Sequence, residues 1–97
     1  MMALLDLLGR RWTLRVIWEL RDGKPQTFRE LQKRCDGMSS SVLAQRLAEL
    51  GDAGIVAVAD SGYTLTKEGA SLMEALDPLR EWSKRWARRV NAGARSR

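Results

Sequence analysis

Apolar residues recur along most of this chain at intervals of three and four positions, the spacing that places side chains on one face of an α-helix. Near the start, this spacing predicts a short helix over Ala3–Leu8, which Gly9 ends, and a second helix from about Arg11 or Trp12 to Gly23. One face of the second helix is formed by Leu14, Ile17, Trp18 and Arg21. Two helices are therefore expected at the start of the chain.

Two further short helices, separated by a glycine turn, are predicted within Thr27–Gly54. Thr27 and Glu30 have the spacing of a capping box at the start of the first helix. Asp36-Gly37 breaks that helix, and Ser39 is placed to cap the second. The apolar sides of the two helices are formed by Leu31, Cys35, Leu43, Leu47 and Leu50. The other side of the second helix is small and polar, with Ser41, Ala44, Gln45 and Ala48. This pattern is typical of a helix-turn-helix, whose second helix enters the DNA major groove, and also of an ordinary helical hairpin.

Residues 55–66 change from helical spacing to the pattern of a β-hairpin. Ile55–Ala59 is rich in β-branched residues, Asp60-Ser61-Gly62 is typical of a turn, and Tyr63–Thr66 alternates polar with apolar residues. Residues 25–26 form an extended connector, for which a single short strand is an alternative. A hairpin directly after a helix-turn-helix is the winged-helix arrangement, in which the hairpin tip lies along the DNA backbone or minor groove.

A long final helix is predicted to begin at Thr66, which serves as its cap. Its apolar positions are Leu72, Leu76, Leu79, Trp82, Trp86 and Val90. Pro78 is expected to kink or restart this helix, and Asn91–Arg97, without apolar periodicity, is expected to be frayed. The predicted fold is mainly α with a small β-hairpin wing, in one domain over residues 1–97. Its predicted parts are dimerisation helices over 1–22 and 67–92, a helix-turn-helix over 27–54 and a wing over 55–66.

The composition excludes most enzyme classes. The chain has 97 residues, of which 44% are hydrophobic, as in a single globular domain. It contains no histidine, which removes histidine-based triads and most zinc sites, and no phosphate-binding glycine loop or carboxylate pair stands out. One cysteine fits a reducing cytoplasm. No segment is predicted to span a membrane, no secretory signal is expected, and no cofactor or metal is predicted.

The net charge of +5 is unevenly distributed. Residues 51–79 hold five acids and one base, whereas residues 80–97 hold seven bases and one acid. A basic chain without a membrane signal favours a polyanionic partner such as nucleic acid, close to the nucleoid. Because the excess lies at the chain end and not in the predicted recognition helix, a solvated tail is the simpler explanation, and the charge gives only weak support for DNA binding.

Four phrases, in order, resemble the HxlR-type branch of the MarR-like winged-helix regulators of bacteria and archaea. They are LLGRRWTLRVIWEL, FRELQKRCDGMSSSVLAQRLAELGDAGIV, YTLTKEG and LDPLREW. Together they extend from Leu7 to about Trp86. The resemblance implies a homodimer that binds a partly palindromic operator and regulates a nearby gene. It also implies that the first and last helices form the dimer interface.

The resemblance can be carried to particular positions. Ser39 matches the serine that opens the recognition helix, and Gln45-Arg46-Leu47 matches the QRL that follows; Trp12-Thr13 and Trp82 match the start of the second helix and the tryptophan of the closing helix. Relatives usually have a longer amide or basic side chain where this chain has Ser40 and Ser41. Their wing is usually longer and contains proline, whereas the wing of this chain is short. Some relatives also have an oxidant-sensing cysteine near the N-terminus, which has no counterpart in this chain.

The DNA contacts expected on this basis are made by short polar and basic side chains. Gln45 suits a bidentate pair with adenine, and the serines suit a phosphate or a base edge. Arg46 fits a phosphate contact or a structural salt bridge, and Arg10-Arg11 are further candidates for contact with the backbone. The predicted DNA-binding set is Ser39, Ser40, Ser41, Gln45, Arg46, Arg29, Lys33, Arg11 and Ser61.

The terminal helices carry the apolar residues expected at the dimer interface, because such a stripe is too large to remain exposed. This set comprises Leu4, Leu5, Leu8, Leu72, Leu76, Leu79, Trp82 and Trp86. Trp18, Trp82 and Trp86 also suggest a small-molecule pocket between helices, although packing explains them more simply. Cys35 is interpreted as a buried, inert thiol, with a redox switch as the alternative.

The sequence thus predicts a cytoplasmic transcription regulator that binds double-stranded DNA as a homodimer, with an unidentified small-molecule effector left open. Two alternatives remain at this stage. One is a winged-helix module for protein–protein interaction with weak or lost DNA binding, which the serines and the short acidic wing would suit. The other is a ligand- or redox-responsive switch.

Overall fold

The computed structural model describes residues 1–95, with the side chains of residues 1–93. Within this part of the chain, helices and a single hairpin follow one another in the predicted order. The elements are α1 (Met2–Leu8), α2 (Thr13–Glu19), α3 (Phe28–Arg34), α4 (Ser40–Asp52), β1 (Val56–Ala59), β2 (Gly62–Leu65) and α5 (Lys67–Arg95). The mainly helical winged helix-turn-helix fold is therefore confirmed.

The core is formed by apolar side chains from α2, α3, α4 and the start of β1. Its buried members are Val16, Ile17, Leu20, Leu31, Cys35, Met38, Leu43, Leu47, Leu50, Ile55 and Val56. The predicted apolar face of α2 was partly wrong: Leu14 is exposed and Trp18 is half-buried, whereas Thr13 and Val16 are buried. The reason is that α2 contacts α1, α3, α4 and α5, so apolar residues are needed around most of its circumference.

The helix caps predicted for α3 and α4 are present. The Thr27 hydroxyl accepts a hydrogen bond from the Glu30 amide at 3.2 Å, and the Glu30 carboxylate accepts one from the Thr27 amide at 2.9 Å. The Ser39 hydroxyl accepts a hydrogen bond from the Val42 amide at 3.3 Å. Between the two helices, Gly37 has φ = 90°, a left-handed conformation that glycine adopts without strain. Local interactions therefore set the start of each helix, and Gly37 allows the turn between them.

The β-hairpin is shorter at its tip than predicted. Ala59 pairs with Gly62, so the loop consists of Asp60 and Ser61 alone, and Gly62 belongs to β2. Gln26 forms an isolated antiparallel bridge with Tyr63 through backbone hydrogen bonds of 2.7 and 2.9 Å, which confirms the short strand-like connector. This bridge fastens the hairpin to the segment that enters α3.

Helix α5 begins at the predicted cap, where the Thr66 hydroxyl accepts a hydrogen bond from the Gly69 amide at 3.0 Å. It continues without interruption through Pro78, so the helix does not restart there. The expected fraying over Asn91–Arg97 was wrong up to Arg95, because alanine and arginine favour helix without any apolar periodicity. Ser96 and Arg97 lie outside the described residues.

Candidate nucleic-acid interface

The exposed side of α4 has the composition expected of a helix that enters a DNA groove. Its exposed residues are Ser40, Ser41, Ala44, Gln45 and Ala48, followed at the end of the helix by Gly51 and Asp52. The Ser39 and Ser41 hydroxyl oxygens lie 3.3 Å apart, so one of these hydroxyls donates to the other while Ser39 caps the helix. Positions 44 and 48, on either side of Gln45, are exposed alanines, whose methyl groups add little bulk to this face. Close approach to a flat base edge is therefore sterically open.

The opposite side of α4 is fixed in the core. Leu43 and Leu50 are completely buried and Leu47 is nearly so. A fully buried leucine contributes about 1.5–3 kcal/mol relative to an exposed one, so three of them hold α4 firmly in one orientation. The polar side of the helix is consequently presented at a defined angle from the domain.

Arg46 is turned away from the exposed face of α4. Its Nη1 atom lies 2.6 and 3.0 Å from the two carboxylate oxygens of Glu49, and only 13% of its side chain is accessible. The guanidinium of Arg10, from the segment between α1 and α2, donates a hydrogen bond to the same Glu49 carboxylate. Of the two roles considered for Arg46, the geometry corresponds to the structural salt bridge.

The other residues of the predicted DNA-binding set are distributed over three elements. Arg29 and Lys33 are exposed on α3, and Arg11 is exposed with its guanidinium carbon 5.5 Å from the centre of the Trp12 ring. Ser61 is exposed in the two-residue tip of the hairpin, next to Asp60. The structure directly joins only the Ser39–Ser41 pair within this set.

Two ionisable groups of α3 have altered pKa values. The hydrogen bonds from Thr27, first from its backbone amide and then from its hydroxyl, lower the pKa of the Glu30 carboxyl. Burial raises the pKa of the Cys35 thiol, and the nearby Glu19 carboxylate raises it further against an opposing effect of Arg15. Cys35 is fully buried, which confirms its position in the core. A buried thiol that resists ionisation is a poor nucleophile.

The outer half of α5 exposes a stripe of large apolar side chains. Leu79, Trp82, Trp86 and Val90 are each about half exposed, at 54%, 51%, 53% and 47%. The two indole rings are stacked, with centroids 6.2 Å apart and planes inclined by 11°. In α1, Leu5 is 51% exposed, while Leu4 and Leu8 are partly buried, as are Leu72 and Leu76 in the inner half of α5. Met2 and Val90 add to these surfaces but were absent from the predicted interface.

An open groove of about 740 Å³ runs between α2 and the inner half of α5. Trp18 lies in this groove with the guanidinium carbons of Arg21 and Arg80 at 3.9 and 5.6 Å from its ring centre. Its remaining apolar wall is formed by Leu14, Met73, Leu76 and Leu79. Of the three tryptophans considered for a pocket, only Trp18 lines the groove.

Comparison with known proteins supports this geometry. A family model described as HxlR-like helix-turn-helix matches residues 7–91. The chain belongs to the HxlR-like helix-turn-helix family. It is 28% identical over 89 residues to an uncharacterized HTH-type transcriptional regulator of Methanocaldococcus jannaschii, covering 88% of this chain and 83% of that protein. It is 33% identical over 85 residues to the HTH-type transcriptional regulator YodB of Bacillus subtilis, covering 80% and 75%.

Solved structures of the family have the same fold. Quinone-bound YodB from B. subtilis superimposes with a TM-score of 0.80 at 33% identity, covering 87% of this chain and 94% of that one. A possible HxlR family transcriptional factor from Thermoplasma volcanium gives 0.77 at 31% identity, covering 87% and 81%. The relatives of this HxlR-like chain are thus transcriptional regulators, and none of those named here is an enzyme. No helix of residues 1–95 is long and apolar enough to cross a lipid bilayer.

Proposed function

We propose that this HxlR-like protein binds double-stranded DNA as a homodimer and regulates transcription from a partly palindromic operator. The observation that carries the proposal is the exposed Ser40–Ala48 side of α4, small and polar, mounted on three buried leucines of a helix-turn-helix. Membership of a family of transcriptional regulators supports it. In this proposal, α4 enters the major groove and the hairpin lies beside the DNA backbone.

Direct recognition of bases is assigned to Gln45, whose amide forms a bidentate pair with adenine, and to the hydroxyls of Ser40 and Ser41. Contacts with the DNA backbone are assigned to Ser39, Arg29, Lys33, Arg11 and Ser61. Arg46 supports α4 through Glu49 and is not given a DNA contact, because its guanidinium is already paired and largely inaccessible.

The proposed dimer forms through α1 and α5. The half-exposed tryptophans of α5 and the exposed apolar residues of α1 are apolar surfaces that a single protomer leaves in water. An isologous pair of such surfaces buries both copies and gives the twofold symmetry that an inverted repeat requires. The two α4 helices would then contact successive major grooves, about 34–36 Å apart.

Selection of bound duplexes from a random pool tests the proposal. We expect an inverted repeat, with the affinity falling as salt increases because phosphate contacts release counterions.

Substitutions in α4 test the assigned base contacts. Gln45→Ala should cost about 1–3 kcal/mol of binding free energy and relax the sequence preference at one position of each half-site. Ser71→Ala is a matched control for Ser41→Ala, since both serines are exposed on helices. Unchanged DNA affinity in both α4 variants, with an intact dimer, would favour a protein–protein module instead.

A second candidate function, response to a small molecule, is favoured by one comparison: the structural neighbour YodB has been crystallised with a quinone bound. In this chain the Cys35 thiol is buried and resists ionisation, so such a response would depend on the α2–α5 groove around Trp18. A thermal shift with a benzoquinone that persists in Cys35→Ser would support binding in the groove. A shift that disappears in Cys35→Ser would indicate reaction with the thiol.

A further inference from the structure

The connector between α1 and α2, residues 9–12, contacts the helix-turn-helix at one place and approaches it closely at another. The Arg10 guanidinium donates a hydrogen bond to the Glu49 carboxylate in α4. The Trp12 ring passes 3.9 Å from the position that a Cβ atom on Gly37 would occupy, in the turn between α3 and α4. Trp12 itself has φ = 77°, a conformation that residues with a side chain adopt only where their surroundings hold them. The connector is therefore a fixed link to the recognition helix.

Helix α1 depends on this link because its own packing is weak. None of its residues is fully buried, and only Leu7 and Leu8 pack partly against the core. By contrast, Glu49 is held in place from its own helix by Arg46, with oxygen–nitrogen distances of 2.6 and 3.0 Å. The Arg10–Glu49 pair therefore joins a loosely seated helix to a firmly seated one.

We propose that Arg10 and Glu49 are positioning residues that fix the angle between α1 and α4, and thereby the half-site spacing that the dimer accepts. This inference rests on the proposed function, in which α1 lies at the dimer interface and α4 in the major groove. The pair has no role in base recognition. It determines where the second recognition helix arrives once the first has bound.

Simple geometry shows why a small change in this angle matters. For half-sites one turn apart, about 34–36 Å, each recognition helix lies about 17 Å from the twofold axis. Because both helices of a twofold dimer move, a rotation of about 6° on a lever of that length moves each by about 1.7 Å and changes their separation by about 3.4 Å, the rise of one base pair along a strand. Loosening of the α1–α4 angle should therefore let the dimer accept a spacing changed by one base pair.

The experiment measures binding to duplexes that carry the selected half-sites at the preferred spacing and at spacings one or two base pairs longer or shorter. The variants are Arg10→Gln and Glu49→Gln, and the matched control is Arg11→Gln, which removes the adjacent exposed cation. Partly exposed ion pairs contribute about 1.4- to 5-fold to an equilibrium, so we expect Arg10→Gln to reduce the spacing preference by about that factor. Its half-site sequence preference should be retained. Arg11→Gln should weaken binding equally at every spacing and lower the log–log salt slope by about one.

Two results would overturn the inference. One is an Arg10→Gln variant that behaves like Arg11→Gln, because Arg10 would then contact phosphate. The other comes from the protein without DNA: spin labels at Asp6→Cys and Ala48→Cys, in a Cys35→Ala background and diluted with excess unlabelled protein, report the α1–α4 distance within one chain. Arg10→Gln should broaden that distance distribution, and an unchanged distribution would refute the positioning role. If the native protein shows no sequence preference at any spacing, the proposed function fails, and the spin-label distances still decide the role of Arg10.

Discussion

Gly69 in the first turns of α5 provides the sharpest test of how this helix is seated on the hairpin. The residue is buried, and an added Cβ atom would overlap the carbonyl oxygen of Ile55 and lie 3.1 Å from Leu65 Cδ2. Gly69→Ala therefore has two opposing effects. Alanine gains about 1 kcal/mol of helix propensity over glycine, whereas the new methyl group must displace a backbone carbonyl.

The displacement is costly because the Ile55 carbonyl is already engaged. It accepts a hydrogen bond from the Thr66 amide at 2.9 Å, while the single proton of the Thr66 hydroxyl is directed to the closer carbonyl oxygen of Gly54 at 2.5 Å. Overpacking typically costs about 1–3 kcal/mol, and weakening this hydrogen bond adds about 1 kcal/mol. After the propensity gain is subtracted, we expect Gly69→Ala to destabilise the protein by about 2 kcal/mol, or roughly 8–16 °C in Tm for a domain of this size.

Thermal and urea unfolding at matched protein concentrations measure this effect. Gly93→Ala is the control, because Gly93 lies in the same helix with open space around it. It should be neutral or should stabilise the protein by up to about 1 kcal/mol. A Gly69→Ala variant as stable as Gly93→Ala would refute the close approach of α5 to Ile55.

Three further predictions follow from individual side chains. Hydrogen bonds from Thr27 lower the pKa of Glu30 in the folded state, so the stability that this carboxylate contributes should be present above its unfolded pKa of about 4.3 and be lost as the pH falls through the folded value. The free energies of unfolding in urea of the native protein and of Glu30→Gln should therefore converge at low pH. The pKa of Cys35 is shifted in the opposite direction, so its effect on stability is a decline only as the pH rises above the ordinary thiol value of about 8.5. Iodoacetamide should therefore label Cys35 at the rate of unfolding and not at the rate of an exposed thiol. Trp86→Ala should weaken self-association in sedimentation by about 2 kcal/mol or more, whereas Val58→Ala, on an exposed hairpin position, should not change it.

The parts of the fold that the sequence predicted well are those stabilised by near neighbours. The caps at Thr27 and Ser39 involve residues three positions apart, so their chemistry is visible in the local sequence. The alternation of Leu43, Leu47 and Leu50 with small polar residues likewise identified the buried and exposed sides of α4. Such signals need no knowledge of tertiary contacts.

The parts that were missed depend on contacts between distant segments. The buried side of α2 could not be derived from one helical period, because this helix packs against four others. Arg10 and Glu49 are separated by 39 positions, and nothing in the local sequence of either predicts their pairing. Arg46 pairs with Glu49 as well, the structural salt bridge that the sequence had given as one of two roles for this arginine, the other being a phosphate contact.

The inward orientation of Arg46 has a consequence for how such a regulator would search a genome. Within α4, Arg46 is the only cation, and Glu49 already neutralises it. Because sequence-independent affinity for DNA comes mainly from cations on phosphates, a groove-entering helix without a free cation adds little to it. Binding to incorrect sites should then rely on cations outside α4, such as Arg29, Lys33 and Arg11, while discrimination by α4 should depend on hydrogen bonds that form only when the bases match.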